Sequence, residues 1–172
     1  MMMAPLVRRT WSPCGRTPLL YQKTRSHKKV SAIAALCIAP SRYCLHLFFR
    51  LHPDANINAE SVESFLKNLL TELQGPVIII WDRFMPHRSK RVQRPLDNNP
   101  RLHIYHFPPY APELNPVESA WSYTKMNPMA NMIVMDVDTL ANNTRRSMRS
   151  IQLRQPLLRS FLRGSGLSLR LK

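Results

Sequence analysis

The chain contains the run VIIIWD (Val77 to Asp82), a continuous apolar and mostly β-branched stretch that ends in a carboxylate. Such a run is typical of a central strand covered on both faces of an α/β sheet. Open α/β sheets place their functional groups at the carboxyl ends of parallel strands, so Asp82 is a candidate metal ligand. A strand-terminal Asp that only makes a turn or a cap is equally common, and the run by itself leaves both interpretations open.

A second carboxylate follows in FPPYAPELNPVESAW (Phe107 to Trp121). Pro108, Pro109 and Pro112 of this segment predict an extended turn. Asn115 before Pro116 then predicts the start of a helix, with Asn115 as its N-cap and Glu118 in its first turn. Glu118 there could simply favour the positive end of the helix. It could also join Asp82, because paired carboxylates at the end of a sheet hold divalent metal for phosphodiester chemistry.

Two motifs carry a resemblance to a known family. The string PPYAPELNPVESAW (residues 108–121) resembles the signature of mariner-type DDE superfamily transposases, including their bacterial insertion-sequence relatives. The upstream WDRFMPHRS (residues 81–89) resembles the block in which the second catalytic Asp of that family ends a strand, with a His five positions later. HPDANI (residues 52–57) and LLRSFLRGSGLSL (residues 157–169) extend the similarity over most of the chain.

The resemblance implies an RNase H-like fold and metal-dependent cleavage and transfer of DNA strands in transposition. It assigns Asp82 and Glu118 as catalytic, metal-binding residues, with Mg²⁺ or Mn²⁺ as the ion and with His87 and Asn115 in supporting positions. The implied partners are transposon ends, target DNA and a second copy of the chain. The implied location is the cytoplasm of a bacterium, in association with the nucleoid.

The chain departs from the family pattern in one respect. The family needs three carboxylates, the first of them on an early central strand, and no Asp or Glu precedes Asp54 here. We therefore expect a catalytic domain that is truncated at its N-terminus, lacks the first catalytic strand and is inactive in strand transfer. The alternative is a basic DNA-binding remnant that performs no chemistry.

The distribution of charge points to a polyanionic partner. The 172 residues carry a net charge of +15, from 25 Lys and Arg against 10 Asp and Glu. All ten acids lie between Asp54 and Asp138, so that both ends of the chain are purely basic. The alternative is that the basic ends only increase solubility. Two basic flanks around a mixed middle are better explained by binding to nucleic acid. The candidate phosphate-contacting residues are Arg83, Arg88, Lys90, Arg91, Arg94, Arg145, Arg146 and Arg149.

Composition also excludes several classes of protein. Three cysteines without a C-x-x-C pair argue against a disulfide framework or a zinc site, and indicate reduced thiols. No apolar run approaches the ~18 residues that a membrane helix needs.

The order of elements predicts an α/β RNase H-like layered mixed sheet with flanking helices. Residues 1–20 are expected to be irregular with one short strand, and the strands to lie at 30–38, 43–52, 77–81 and 102–107. Helices are expected after the cap Asn58, over 89–98 despite Pro95, and from Pro116 through Trp121. We divide the chain into a DDE catalytic domain over 1–138 and a basic, helical C-terminal extension over 139–172.

Overall fold

The computed structural model describes residues 2–3, 6–19, 28–167, 169 and 171–172. Residues 1, 4, 5 and 20 of the predicted irregular segment lie outside the described residues, and its described part contains only an isolated bridge from Met2 to Lys29. The named elements are β1 (Val30–Ile38), β2 (Leu45–Pro53), α1 (Ala59–Glu72), β3 (Val77–Trp81), α2 (Lys90–Asp97), β4 (Leu102–His106), α3 (Pro116–Met126), α4 (Val137–Gln152) and α5 (Gln155–Gly164).

The first sheet is the predicted hairpin. β1 and β2 pair antiparallel from Val30 opposite Pro53 to Ile38 opposite Leu45. The connection turns at Arg42, whose φ of 61° lies in the left-handed region. Alternate residues of β2 enter the core, because successive side chains of a strand point to opposite faces.

The second sheet carries Asp82 at its end. β3 and β4 pair in parallel, and Asp82 directly follows β3. One face of β3 packs with α1 and α2 in a cluster that contains Val62, Trp81 and Val92. The other face is open: Ile78 is 66% exposed and Ile80 is 46% exposed. The prediction of a strand covered on both faces is therefore wrong for the described residues.

The mixed α/β fold with flanking helices is confirmed, but the described strands form two small sheets rather than one layered sheet. Among the described residues there are two separate two-stranded sheets, β1–β2 and β3–β4. The edge of β3 away from β4 and the edge of β1 away from β2 carry no described strand. Ile33 of β1 still packs against the cluster beside β3, so side-chain contact connects the two halves.

The basic C-terminal segment is helical and shares its core with the hairpin. Met148 and Ile151 of α4 are buried with Leu45 of β2 and Leu158 of α5. Pro95 lies inside α2 without ending it, and Ser89 caps that helix by accepting a hydrogen bond from the amide of Val92. None of the described helices combines the length and the hydropathy that a membrane span requires.

Candidate metal and nucleic-acid site

A cleft of about 470 Å³ opens where β3 ends, and both predicted carboxylates line it. Asp82 reaches the cleft from the end of β3, and Glu118 reaches it from the first turn of α3. Arg83, Asn115 and the Pro-rich segment 107–112 complete the lining. Residues from two distant segments of sequence are thus brought to one surface, since the parallel pairing of β3 with β4 places the chain after each strand at the same edge.

Asp82 is held by two donors. Its Oδ1 accepts a hydrogen bond from the amide of Phe84 at 3.0 Å and lies 3.1 Å from Nδ1 of His87. The hydrogen bond from His87 lowers the pKa of Asp82, the amide of Phe84 adds to this, and partial burial opposes it. The side chain remains 56% exposed, so the ionised carboxylate can reach a ligand in the cleft.

His87 is fixed behind Asp82 rather than lying free on the surface. Its ring stacks on Trp81 with centroids 4.3 Å apart and an interplanar angle of 7°, and Phe84 meets it edge-on. The side chain is only 13% exposed. Trp81 is in turn tied to the neighbouring strand, because its Nε1 donates to Nε2 of His106 at 3.2 Å. His87 therefore acts on the cleft by orienting Asp82.

Glu118 owes its position to the cap of α3. Oδ1 of Asn115 accepts from the amide of Val117 at 3.1 Å, and the amide of Glu118 donates to the carbonyl of Asn115 at 3.0 Å. Pro116 occupies the first helical position. Asn115 therefore serves as a cap, as predicted. Within the described part of the chain, the carboxylate of Glu118 takes part in no ion pair.

The eight predicted phosphate-contacting residues fall into separate surroundings. Arg83 lines the cleft, whereas Arg88, Lys90 and Arg94 are exposed and are not among its lining residues. Arg91 bonds instead to Glu63 of α1 and lies 3.8 Å from Glu60, so its charge is neutralised locally. The three arginines of α4 lie apart from the cleft lining: Arg146 is exposed, while Arg145 and Arg149 line a different cavity.

Tyr110 is a feature of the cleft that our sequence reasoning missed. It is fully exposed, has a φ of 57° and lines the cleft between prolines. An exposed aromatic ring is a platform on which a nucleic-acid base can stack. The sequence did contain a signal for this exposed ring. Tyr110 is a large aromatic residue among prolines, which keep its segment out of strands and helices, so its side chain was a candidate for exposure.

The donor set of the cleft fits Mg²⁺ or Mn²⁺ in part. Mg²⁺ is commonly held by one or two carboxylates, with water and substrate phosphate completing its shell. Asp82 and Glu118 supply that number of carboxylates. The described residues contain no group of three or more His, Cys, Asp or Glu side chains arranged to hold a metal.

Comparisons with known proteins agree with this fold. The sequence model of the family described as DDE superfamily endonuclease matches residues 3–141. A comparison with curated proteins gives no match. The structure is similar to a chain of the Mos1 strand transfer complex, with a TM-score of 0.55 and 14% identity over 99% of this chain and 53% of that one.

A second similar structure is the catalytic domain of Mos1 mariner transposase. The TM-score is 0.47 at 12% identity, covering 82% of this chain and 83% of that domain. The chain spans about half the length of the Mos1 chain in the strand transfer complex. At these identities the likeness concerns the fold.

Proposed function

Because this chain belongs to the DDE superfamily of endonucleases, we propose that its cleft binds a divalent metal and DNA for strand cleavage and transfer in transposition. The observation that carries the proposal is that Asp82 and Glu118, from separate segments, line the same cleft beside Arg83. The similar Mos1 structure is that of a strand transfer complex, and this supports DNA as the partner. That this chain associates with a second copy of itself and with the bacterial nucleoid remains a prediction.

Each residue of the cleft has a distinct task in this proposal. Asp82 and Glu118 would hold Mg²⁺ or Mn²⁺, an ion that would supply activation of the attacking oxygen and stabilisation of the leaving oxygen of a phosphodiester. His87 keeps Asp82 oriented and ionised through the hydrogen bond that lowers the pKa of Asp82. The guanidinium of Arg83 contacts a phosphate, for which arginine has the suited bidentate geometry.

We also propose that this chain by itself does not complete strand transfer. The family resemblance implies three carboxylates, and the cleft is lined by two. The earliest acid of the sequence, Asp54, follows β2 in a left-handed turn with φ of 49° and does not line the cleft. The expected outcome is a protein that binds metal and DNA but joins no strands.

A second candidate function is DNA binding without chemistry. It is favoured by the lack, within the described residues, of any three-membered group of metal-ligating side chains. It predicts that DNA affinity is independent of Mg²⁺ and Mn²⁺, whereas a metal-dependent cleft predicts tighter DNA binding when the ion is present.

Titration with Mn²⁺ alone, followed by electron paramagnetic resonance, tests the metal site without requiring activity. Asp82→Asn and Glu118→Gln should each weaken Mn²⁺ binding at least tenfold. Glu113→Gln is the matched control, because Glu113 is an exposed acid of the same segment that does not line the cleft. Equal Mn²⁺ affinity in Asp82→Asn and Glu113→Gln would show that the cleft is not the metal site.

A plasmid-joining assay with Mg²⁺ tests the incomplete site separately. The unchanged chain should give no joined product. If it cuts and joins DNA, and Asp82→Asn abolishes this, the proposal of an incomplete site is wrong while the assignment of the cleft stands.

A further inference from the structure

The outer edge of β2 has backbone groups that point away from β1. The amide of Ala39 donates to the carbonyl of Cys44, which sets the alternation of the antiparallel ladder. Residues in such a ladder alternate between facing the partner strand and facing outward. In the observed register, the backbone N–H and C=O groups of Leu45, Leu47, Phe49 and Leu51 therefore face outward.

Two glutamines cover the first part of this edge. Gln155 accepts from the amide of Leu45 at 3.0 Å and donates to its carbonyl at 2.7 Å. Gln152 donates to the carbonyl of Leu47. The side chains of the α4–α5 region thus follow the strand edge, one outward-facing residue after another.

Two arginines continue this series on α4. Three or four helical residues advance about 4.5–6 Å, which approximates the ~6.6 Å between outward-facing residues of a strand. Going back along α4 from Gln152 toward the start of the helix, the next positions on this side are Arg149 and Arg145. They lie beside Phe49 and Leu51 of β2. These four residues line one cavity of about 420 Å³, which we call the β2-edge cavity, together with Arg50 and Gln152.

The charge of the β2-edge cavity is not neutralised within the described part of the chain. Arg145 donates to the side-chain oxygen of Asn142 and Arg50 to Ser64, each at 2.8 Å, and both acceptors are uncharged. The guanidinium of Arg149 has no hydrogen-bond or ion-pair partner among the described residues. All ion pairs between described residues involve other cations: Lys67, His87 and Arg91.

We propose that the β2-edge cavity binds a phosphate group of a nucleic-acid backbone. The guanidinium groups of Arg145 and Arg149 and the backbone N–H groups of Phe49 and Leu51 would donate to its oxygens. Arginine and backbone N–H groups are common donors to phosphate. The choice of nucleic acid as the source of the phosphate rests on the proposed function.

An acidic peptide added as a strand would offer similar charge, but the open part of the edge is short. Gln155 bonds both backbone groups of Leu45, Gln152 bonds the carbonyl of Leu47, and Pro53 has no N–H to donate. Among the described residues, a complete outward-facing pair of N–H and C=O stays open only at Phe49 and Leu51, so this part of the edge spans residues 49–51, at the lower limit of strand length. A phosphate needs only one or two N–H groups.

The β2-edge cavity is separate from the cleft of Asp82, since the two share no lining residue. Bound DNA would therefore be held by at least two groups of contacts, one at the cleft and one at the edge of β2. The second group would contribute to affinity and to positioning on the backbone, without reading sequence.

Amide NMR of the full chain tests the site directly. A short duplex DNA should shift the amide signals of Phe49 and Leu51, and Arg149→Gln should remove most of that shift. Inorganic phosphate at higher concentration should shift the same two signals. A glutamate-rich peptide of equal charge should not, and an equal or larger effect of that peptide would overturn the proposal in favour of a protein partner.

The salt dependence of duplex binding provides a second readout. Each phosphate contact contributes about −0.9 to the slope of log K against log salt, so Arg149→Gln should reduce the slope by about 0.9. Arg163→Gln is the control, since it removes the same charge from an exposed position in the last turn of α5. Equal slopes for these two variants would overturn the proposal, while the Mn²⁺ measurements on the cleft would be unaffected.

Discussion

His87 and Asp82 contact each other through both the side chain and the main chain of the aspartate. Nδ1 of His87 lies 3.1 Å from Oδ1 of Asp82 and 3.2 Å from its carbonyl oxygen. The five-residue spacing is spanned by the short 3-10 helix Met85–Arg88, which begins after Phe84. The contact therefore ties the end of β3 to the segment that follows it and fixes the direction of the carboxylate.

Replacing His87 with Phe should raise the pKa of Asp82 toward its ordinary value. Phenylalanine keeps a ring to stack on Trp81 but has no nitrogen to donate, and the hydrogen bond from His87 is the largest cause of the lowered pKa. Carbon-13 NMR titration of the carboxyl groups measures this. His103→Phe, at an exposed position of β4, should leave Asp82 unchanged.

The same substitution has a defined pH dependence. Because the folded pKa of Asp82 is depressed, its contribution to stability is present above the unfolded pKa of about 3.9 and is lost as pH falls through the folded value. His87→Phe should therefore lower the free energy of unfolding at neutral pH by at most ~1 kcal/mol, given the exposure of Asp82. The electrostatic part of this difference should vanish in strong acid. If the electrostatic part of the stability difference persisted in strong acid, the assignment of the lowered pKa to the His87–Asp82 hydrogen bond would be wrong.

Removing the cap of α3 should destabilise the helix that carries Glu118. Asn115→Ala deletes the oxygen that accepts from the amide of Val117, and such a loss costs about 0.5–2 kcal/mol. Asn115→Ser should retain most of the stability, because serine is also a good cap. Urea denaturation of the three proteins measures the differences. A serine variant as unstable as the alanine variant would show that Asn115 acts by other means.

Gln155, at the start of α5, should contribute more to the stability of the fold than Gln152 does. Gln155→Ala would leave the N–H and C=O of fully buried Leu45 without partners, at a cost of about 1–3 kcal/mol. Gln152→Ala removes one described hydrogen bond from the same edge and should cost less. Thermal unfolding compares the two variants. The reverse order of stability would contradict our account of how the edge of β2 is covered.

The open face of β3 should promote association between copies. Exposed apolar patches promote contact between protein molecules, and Ile78 and Ile80 form such a patch on this face. Ile78→Thr alters the exposed face and should reduce aggregation, with a change in stability within about 0.5 kcal/mol. Ile79→Thr alters the opposite, half-buried face and should destabilise the fold instead. Light scattering and urea denaturation separate these effects, and unchanged aggregation in Ile78→Thr would exclude this face as the contact.

Local chemistry explains the parts of the structure that could be predicted. Asn58 and Asn115 are caps because an asparagine oxygen accepts an amide at the start of a helix, and this requires only neighbouring residues. The strand Val77–Trp81 is likewise specified by its own β-branched residues. Motif resemblance, rather than periodicity, singled out Asp82 and Glu118 among ten acids.

Other features depend on partners that lie far away in the chain. The exposure of Ile78 follows from which helices pack on the faces of β3. An apolar run has the same sequence pattern whether one or both of its faces are covered. Arg91 is neutralised by Glu63, 28 positions earlier. Arg149 lies beside β2, a distant strand in the sequence, and has no charged partner among the described residues. The two arginines differ in which groups the packing of helices and strands brings next to them. The residues adjacent in sequence do not specify that packing.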